Sequence, residues 1–426
     1  MKFIADLHIH SKYSRATSRD MEVETLSLWA KRKGIQVLGT GDFTHPLYFL
    51  DLKNKLRPLG NGLYILKDEK EDSPSTYFML TGEVSNMFTQ GGKGRRIHTL
   101  IFAPSLEIVE KINSKLSKLG KISSDGRPIF GFPVKDLVKM VLDISPDCLL
   151  IPAHAWTPWF SVFGANSGFD SLAECFEEET KNIFAIETGL SSDPEMNWRL
   201  SSLDDITLIS NSDAHSPARL GREANIFNCE LSYRGIARAI REKDPHQFLY
   251  TIEFFPEEGK YHFDGHRHCQ VLFSPQETRK HKGLCPVCGK KLTLGVMYRV
   301  EELADRPPGT FPSKAIPALH MVPLDEIIGE ALGVSPNSAA VEKEYLQLIA
   351  KGGTEFNILL ELAPEELASF THPLILEGIL RVREGKLQIT PGYDGVFGKI
   401  QIFSPTEREQ GVVRKEGPEL QQMKLF

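Results

Sequence analysis

Cysteine is scarce in this chain, with six residues among 426. Three of them are scattered, whereas Cys269, Cys285 and Cys288 lie close to several histidines. This distribution argues against a disulfide framework and favours metal binding in a reducing compartment.

Long apolar runs and an excess of positive charge are missing as well. No window approaches the roughly 18–20 apolar residues of a membrane-spanning helix, and the N-terminus begins directly with a short strand-like run. We therefore expect a cytoplasmic protein that is not exported. The formal net charge of −6 argues against a non-specific coat on nucleic acid, although it is compatible with a local basic groove.

A chain of this length has room for two or three domains. Up to residue 250, apolar strand-like runs alternate with helical stretches, which predicts an α/β fold with a parallel sheet or barrel. A module rich in glycine, histidine and cysteine follows over residues 251–308, then a mainly helical region over 309–406 and a polar tail over 407–426. The clearest predicted helices cover residues 21–33, 107–119, 134–142, 232–242, 324–332, 338–350 and 364–369.

Polar side chains of the metal-ligand type lie beside seven of the apolar runs. Each run is short enough for a buried parallel strand, and barrel active sites are built at strand ends. Imidazole and carboxylate groups together suit zinc, manganese or iron, and carboxylates can bridge two ions. A single His-x-His pair is more often a pair of buried core histidines, but seven such clusters indicate a site for several ions. The candidate ligands are His8, His10, Asp42, His45, Glu83, His98, His154, Glu187, Asp213 and His215.

A second candidate metal site lies within residues 251–308. Two ligand pairs, each with two residues between its members, are separated by fifteen residues, which is typical of a closed tetrahedral zinc site that holds a small module folded. His262 and His268 lie close by, so the identity of the fourth ligand stays open. The candidate ligands are His266, Cys269, Cys285 and Cys288.

Two loops near the first site have the composition of a DNA-contacting surface. The loop over residues 91–96 carries Lys93, Arg95 and Arg96, which suit the phosphates beside a bond to be cut, although a solvated hairpin tip explains them equally well. The loop after His154 is aromatic at spacings that fit neither helix nor strand. Part of it is expected in the core, and part suits a pocket for an unstacked base. The candidate pocket residues are Trp156, Trp159, Phe160, Asn166 and Ser167.

As motifs, the seven clusters read Asp6-x-His8-x-His10, the loop at Asp42, Glu83, His98, His154, Glu187 and Asp213-x-His215. This set resembles the polymerase and histidinol phosphatase (PHP) family of metal-dependent phosphoesterases. Further stretches at 187–191, 261–267, 299–306 and 391–395 are similar to the endonuclease Q family. The resemblance implies a distorted (β/α)7 PHP barrel with two or three divalent ions, a small zinc-ribbon module and a mainly helical C-terminal domain. It also implies an endonuclease that extrudes uracil, hypoxanthine, xanthine or an abasic nucleotide from DNA and cuts on its 5′ side.

The resemblance also implies roles for particular residues. Glu83 would bridge two ions and act in catalysis with Asp213, and Glu187 would be a ligand or would orient one. Asp193 would act in proton transfer or in an outer metal role, but it would equally serve as the N-cap of a helix that begins at Pro194. The implied sets are His8, His10, Glu83 and Asp213 for one ion, Glu83, His98 and His154 for a second, and Asp42 or His45 with His215 for a third.

The chain departs from the PHP pattern at two places. Ser14 is followed by Arg15 where many members have an aspartate, and Asp42 is followed by Phe43 where many have a histidine. We therefore expect His45 to be a displaced ligand and Arg15 to be free to contact a phosphate.

The last five residues resemble the peptide with which bacterial proteins dock on the replication sliding clamp. Gln422, Met423, Leu425 and Phe426 would make the contacts, and the alternative is a tail that packs on its own domain. We expect a monomer.

Two other functions compete with the endonuclease. A PHP phosphatase acting on a small phosphomonoester would have the same barrel, but it needs neither the zinc module nor the long C-terminal region. A DNA-binding adaptor with an inactive barrel would not need the full set of metal ligands.

Overall fold

The computed structural model describes residues 1–70 and 76–410. The strands are β1 Lys2–Asp6, β2 Val37–Gly39, β3 Leu56–Pro58, β4 Leu63–Leu66, β5 Tyr77–Gln90, β6 Lys93–Ala103, β7 Ile129–Phe130, β8 Leu149–Pro152, β9 Ala185–Glu187, β10 Thr207–Ile209, β11 Ala224–Asn228, β12 Phe248–Glu253, β13 Asp264–His266, β14 Val271–Phe273, β15 Ala318–His320, β16 Gln388–Thr390 and β17 Lys399–Gln401. The helices are α1 Val23–Lys33, α2 Pro46–Lys55, α3 Leu106–Leu116, α4 Val134–Ile144, α5 Leu172–Phe176, α6 Pro194–Asn197, α7 Tyr233–Glu242, α8 Pro275–Lys280, α9 Val296–Leu303, α10 Leu324–Leu332, α11 Ala339–Gly352, α12 Pro364–Ala368, α13 Pro373–Arg383 and α14 Pro405–Gln410. The seven predicted helices are all present, with ends that differ by up to three residues from the predicted ones.

Eleven of the strands form one mixed sheet in the centre of the molecule. β1, β2 and β5 lie side by side and parallel, while β11 and β12 extend the sheet in antiparallel fashion beyond β1. β9 and β10 pair with each other, and a bridge between Ile9 and Ala214 joins the end of β1 to the segment after β10. The chain therefore has a mixed α/β fold with a central sheet, and the closure of these strands into a seven-stranded barrel stays a prediction.

The expectation of parallel strands is wrong for β6, which runs antiparallel to both β5 and β8. β5 and β6 form a long hairpin, so the predicted loop at 91–96 is reduced to the turn at Gly91 and Gly92. Both glycines have positive φ angles, 60° and 73°, as such a turn requires. Because β6 is reversed, its first half lies toward the edge where the parallel strands end, which explains why His98 precedes its apolar run.

The predicted boundary at residue 250 cuts through β12. This strand pairs with β15 in parallel, with Glu253 opposite His320, so residues 318–320 belong to the central sheet. β13 and β14 form a separate hairpin over a small cluster of Val271, Cys285 and Leu292.

The helices of the C-terminal region bury apolar side chains in the same core cluster as α1, α3 and α4. Among the described residues, no helix combines the length and the apolar character that crossing a membrane requires. The candidate clamp-docking residues Gln422, Met423, Leu425 and Phe426 lie outside the described residues.

Candidate functional site

The side chains of His8, His10 and Asp213 meet just beyond the ends of β1 and β10. Nε2 of His10 lies 3.1 Å from Oδ1 of Asp213, and Nε2 of His8 lies 3.6 Å from the same oxygen. Both imidazoles are buried. The three ligand atoms are close enough together to hold one ion, and we refer to these residues as the first group.

A second group is formed by Glu83 and His98 on the β5–β6 hairpin and by His154 after β8. Oε1 of Glu83 is 2.9 Å from Nδ1 of His98 and 3.3 Å from Nε2 of His154. Its other oxygen, Oε2, is 3.3 Å from Nε2 of His10 and 3.6 Å from Nε2 of His8. Glu83 therefore turns one oxygen to each group, which is the arrangement of a carboxylate that bridges two ions.

The atoms at the centre of the first group fit a metal ion. Nε2 of His8, Nε2 of His10 and Oδ1 of Asp213 are buried, and among the described residues none of them has a hydrogen-bond partner outside the two ligand groups. Each such atom costs about 1–3 kcal/mol when it is left unpaired in a protein interior. A divalent cation would satisfy all three, and nitrogen and carboxylate oxygen are its usual ligands.

Glu187 and Asp42 stand behind the first group and orient its histidines. Oε1 of Glu187 is 3.0 Å from Nδ1 of His8, and Oδ1 of Asp42 is 3.0 Å from Nδ1 of His10. Glu187 also accepts a hydrogen bond from the backbone N–H of His154 at 2.8 Å. A histidine held through Nδ1 presents Nε2 to an ion, so these two carboxylates are placed to position ligands.

Backbone strain is concentrated at the site. Asp42, His154 and Asp213 have φ angles of 43°, 32° and 47°, and a residue other than glycine held there costs of order 1–3 kcal/mol. Close packing adds to the constraint, because a Cβ on Gly126 would lie 2.3 Å from Oδ2 of Asp42. The surrounding structure therefore maintains a geometry that the local sequence would not adopt by itself.

Neighbouring carboxylates set the charge of the first-group histidines. Burial opposes positive charge, but Glu187 raises the pKa of His8 and Asp42 raises the pKa of His10, each well above its ordinary value. In the second group, burial prevails and lowers the pKa of His98 to about 4. His98 is therefore neutral at physiological pH, which is the form that binds a metal.

Arg127 is a site residue that the sequence analysis missed. Its Nη1 lies 3.0 Å from Oε2 of Glu83, and the Glu83 carboxylate raises the pKa of Arg127. Arg127 follows Gly126 in a short polar stretch with no motif spacing. A glycine followed by an arginine and a short strand is a common pattern, so it does not distinguish a site arginine from a surface one.

His45 and His215 lie near the site but outside both groups. His45 stacks on Tyr13 with ring centroids 4.5 Å apart, and burial lowers the pKa of His45. Nδ1 of His215 is 2.9 Å from the carbonyl oxygen of Asp213, and its ring lies 4.5 Å from that of His10. A third ion held by His215 with Asp42 or His45 stays a prediction.

Asp193 is the N-cap of α6, where it accepts a hydrogen bond from the N–H of Met196 at 2.9 Å. Its other oxygen lies 3.1 Å from Nε2 of His320 on β15. Although burial opposes charge on His320, Asp193 raises the pKa of that imidazole to about 9. Both oxygens therefore have structural partners, which favours the helix-cap alternative, and a catalytic role for Asp193 stays a prediction.

The predicted phosphate contacts lie on the surface of the β5–β6 hairpin and nearby. Lys93 and Arg96 are exposed, and Arg95 lies over the ring of Phe169 at 4.0 Å. Arg15 has 81% of its side chain exposed and lies 3.2 Å from Asp125.

The predicted pocket residues are divided between the core and the surface. Trp156 is 1% exposed and donates a hydrogen bond to Oδ1 of Asn197, so it packs in the core and not on the surface where an unstacked base could reach it. Phe160 packs on His98 with centroids 4.6 Å apart, and the buried Ser167 accepts a hydrogen bond from the N–H of Phe160. The remaining two, Trp159 and Asn166, are exposed.

A cavity of about 680 Å³ opens beside the two groups. Oγ1 of Thr157 on its wall is 3.2 Å from Nδ1 of His154, and Arg222 donates hydrogen bonds to the carbonyl oxygens of Ser212 and Asp213. Trp159 lines this cavity, and its role in binding an unstacked base stays a prediction. Lining residues that the sequence analysis did not identify include Arg219, Arg222, Glu258, Lys260, Tyr261 and Phe397.

The second candidate metal site is also brought together by the fold. The ligand atoms of His266, Cys269, Cys285 and Cys288 all lie within 4.8 Å of one another, and Sγ of Cys288 is 3.4 Å from Nδ1 of His266. Of the two other nearby histidines, His262 lines the cavity instead, and the ring of His268 lies 5.9 Å from that of His266.

The chain is similar to several known proteins. A family model described as the MJ0043 C-terminal domain matches residues 323–386. The uncharacterized protein MJ0043 of Methanocaldococcus jannaschii is 34% identical over 266 residues, which is 60% of this chain and about a third (32%) of the length of that protein. The solved structure of the lesion-specific endonuclease PfuEndoQ from Pyrococcus furiosus has a TM-score of 0.83 at 30% identity, covering 97% of this chain and all of that chain. A structure of Endonuclease Q with a 27-mer duplex that has an abasic lesion at the active site has a TM-score of 0.82 at 32% identity, covering 95% and 97% of the two chains.

Proposed function

This chain belongs to the endonuclease Q family, and we propose that it hydrolyses the phosphodiester on the 5′ side of uracil, hypoxanthine, xanthine or an abasic site in DNA. The observation that carries the proposal is the position of Glu83 between two groups of ligand atoms, beside a cavity of about 680 Å³. The relative that holds an abasic duplex at its active site supports the same substrate class.

His8, His10, Asp213 and Glu83 would hold one divalent ion, and Glu83, His98 and His154 another. Ions there would supply positive charge that neutralises the phosphodiester and activates water for attack. Arg127 contacts Glu83, and Arg222 lies against the backbone of Asp213, so both add fixed positive charge where the phosphate would lie.

The cavity would take the extruded nucleotide. Its volume lies within the range of about 300–1,000 Å³ that small-molecule pockets occupy. Extruding a nucleotide from the helix costs a few kcal/mol, and the cost is lowest for mispaired or damaged positions. This difference in cost would help the protein to select the lesion before any bond is cut.

The four ligands around Cys285 would hold one structural zinc that keeps the β13–β14 module folded, since its own apolar cluster is small. Metal analysis tests this directly: the Cys285→Ser variant should contain one zinc fewer per chain than the wild type. An unchanged zinc content would contradict the assignment.

The function is tested with a labelled duplex that carries one deoxyuridine or deoxyinosine. The metal-loaded protein should nick it immediately 5′ to the lesion, while an undamaged duplex and the Asp213→Ala variant should give no product. Intact lesion DNA together with hydrolysis of p-nitrophenyl phosphate would instead indicate a phosphomonoesterase.

A further inference from the structure

Four residues that line the cavity are also exposed or partly exposed to solvent, and we refer to them as the rim: Trp159, Lys260, Tyr261 and Phe397. The rings of Trp159 and Tyr261 are perpendicular, with centroids 6.3 Å apart. Nζ of Lys260 lies 5.7 Å from the ring centroid of Tyr261 and 5.7 Å from that of Phe397. The rim thus brings together three aromatic rings and a cation from three separate segments of the chain.

Phe397 is 72% exposed although the loop that carries it is firmly held. The N–H of Gly395 donates to the carbonyl oxygen of Lys260 at 2.8 Å. A Cβ on Gly398 would lie 2.0 Å from the carbonyl oxygen of Glu257, so the close approach of these two segments requires glycine. A rigid loop that holds a large apolar side chain in solvent is preorganised for binding.

The neighbourhood favours a nucleotide as the ligand of this rim. A stable protein interface buries about 1,200–2,000 Å² in total, far more than the three rings offer, whereas one aromatic face is enough to stack on a base. Lys260 lies beside two of the rings and Arg222 lines the same cavity, so both supply positive charge for the phosphate that accompanies each base. Arg219, which also lines the cavity, is paired with Glu326 at 2.7 Å.

We propose that Trp159, Tyr261 and Phe397 form a stacking subsite for an undamaged nucleotide next to the extruded one, with Lys260 at its phosphate. The subsite replaces the base stacking that this neighbour loses when the damaged nucleotide leaves the helix. This inference rests on the proposed function. The subsite would position the DNA without contacting any reacting atom.

The test is steady-state kinetics of the metal-loaded protein on a deoxyuridine duplex. For Phe397→Ala and Phe397→Leu we expect KM to rise about tenfold with a smaller change in kcat, while Phe397→Trp stays close to the wild type because it retains an aromatic face. The control is Ile389→Ala on β16, a residue whose apolar side chain is 40% exposed and does not line the cavity, and its KM should not change.

Fluorescence of 2-aminopurine, placed on either side of the lesion, supplies a second readout. Stacking on an aromatic ring quenches this base, so its emission in the complex should be higher with Phe397→Ala than with the wild type at one of the two positions. A KM for Phe397→Ala equal to that of the wild type, or a Phe397→Leu variant that behaves as the wild type does, would overturn the stacking subsite and leave the proposed function intact. A wild-type protein that cuts no lesion duplex would overturn both.

Discussion

At the scale of single residues, Arg127 is the clearest case of a side chain whose role depends on a distant partner. It lies in the loop before β7, yet its guanidinium contacts the carboxylate that both ligand groups share. In the proposed reaction, a fixed cation at that point would counter negative charge that develops on the phosphate as the bond is cut.

We expect Arg127→Gln to lower the rate of cleavage by about 10²–10³-fold, the usual effect of removing one preorganised charged or hydrogen-bonding group from a transition state. Single-turnover rates on a deoxyuridine duplex measure the effect. Arg127→Lys should retain part of the activity, and Arg234→Gln, an exposed position on α7, should retain all of it. A single-turnover rate for Arg127→Gln equal to that of the wild type would contradict a role at the phosphate.

At the scale of elements, β11, β12 and β15 place a row of ionisable groups at one edge of the sheet. Ala224 pairs with Ile252, so Glu223 and Glu253 are the next opposed positions, and Glu253 lies beside His320 on β15. Both carboxyl groups are fully buried, and Glu253 accepts a hydrogen bond from the hydroxyl of Thr188 at 3.1 Å. Burial raises the pKa of Glu253 to about 8 and that of Glu223 well above its ordinary value.

This row makes stability depend on pH in a definite direction. Between the ordinary pKa of 4.5 and the folded value of about 8, the folded protein keeps a proton on Glu253 that the unfolded chain releases. The free energy of unfolding therefore falls as pH rises through that window. Glu253→Gln is neutral at every pH, so its Tm should fall less than that of the wild type between pH 5.5 and pH 8.5.

Thermal melts at several pH values measure this difference. Glu342→Gln, which changes an exposed carboxylate on α11, is the control and should follow the wild type. Parallel curves of Tm against pH for wild type and Glu253→Gln would show that Glu253 is ionised in the folded protein.

At the scale of the whole molecule, a buried ion pair joins the first helix to the C-terminal region. Nζ of Lys33, at the end of α1, lies 2.7 Å from Oε2 of Glu355, and both side chains are about 5% exposed or less. Glu355 also accepts hydrogen bonds from the N–H of Leu324 and the hydroxyl of Tyr345. The pair thus fixes α10 and α11 against the part of the chain that carries the metal groups.

Removing one partner of such a pair leaves an uncompensated buried charge, which costs about 3–5 kcal/mol. We expect this loss in the free energy of unfolding for Lys33→Met, measured by urea denaturation. Adding Glu355→Gln should recover much of it, because the amide is neutral: its oxygen can accept from the N–H of Leu324, and its NH2 group can donate to the hydroxyl of Tyr345. Lys2→Met, which breaks the exposed pair with Glu361, should cost less than about 1 kcal/mol, and an equal loss for Lys2→Met and Lys33→Met would contradict this account.

The helices and most members of the candidate ligand groups could be predicted from the sequence, because they depend on local patterns. Apolar runs of strand length and helical periodicity are properties of neighbouring residues, so the helices over 324–332 and 134–144 were predictable to within two residues. The two-residue spacing of Cys285 and Cys288 likewise brings both sulfurs to one point without any help from the rest of the chain.

Three features could not be predicted from the sequence: the direction of β6, the burial of Trp156 and the lining of the cavity. The apolar run after His98 reads the same in a parallel and in an antiparallel strand, and the pairing with β5 decided between them. Trp156 and Trp159 are only three residues apart in the sequence. Trp156 packs against Phe163 in the core, whereas Trp159 lies near Tyr261 at the cavity, and only the tertiary structure distinguishes these two positions.

By itself, the sequence determined which chemical groups this protein has for binding metals, since His8, Glu83 and Asp213 owe their ligand character to their own side chains. Tertiary structure alone decided how these groups are divided: Glu83 turns one oxygen to each group, while Glu187, 179 residues after His8, orients that histidine. The physical reason is that hydrogen bonds and charge interactions act over a few ångströms in space, and only the folded chain brings residues so far apart in sequence within that distance.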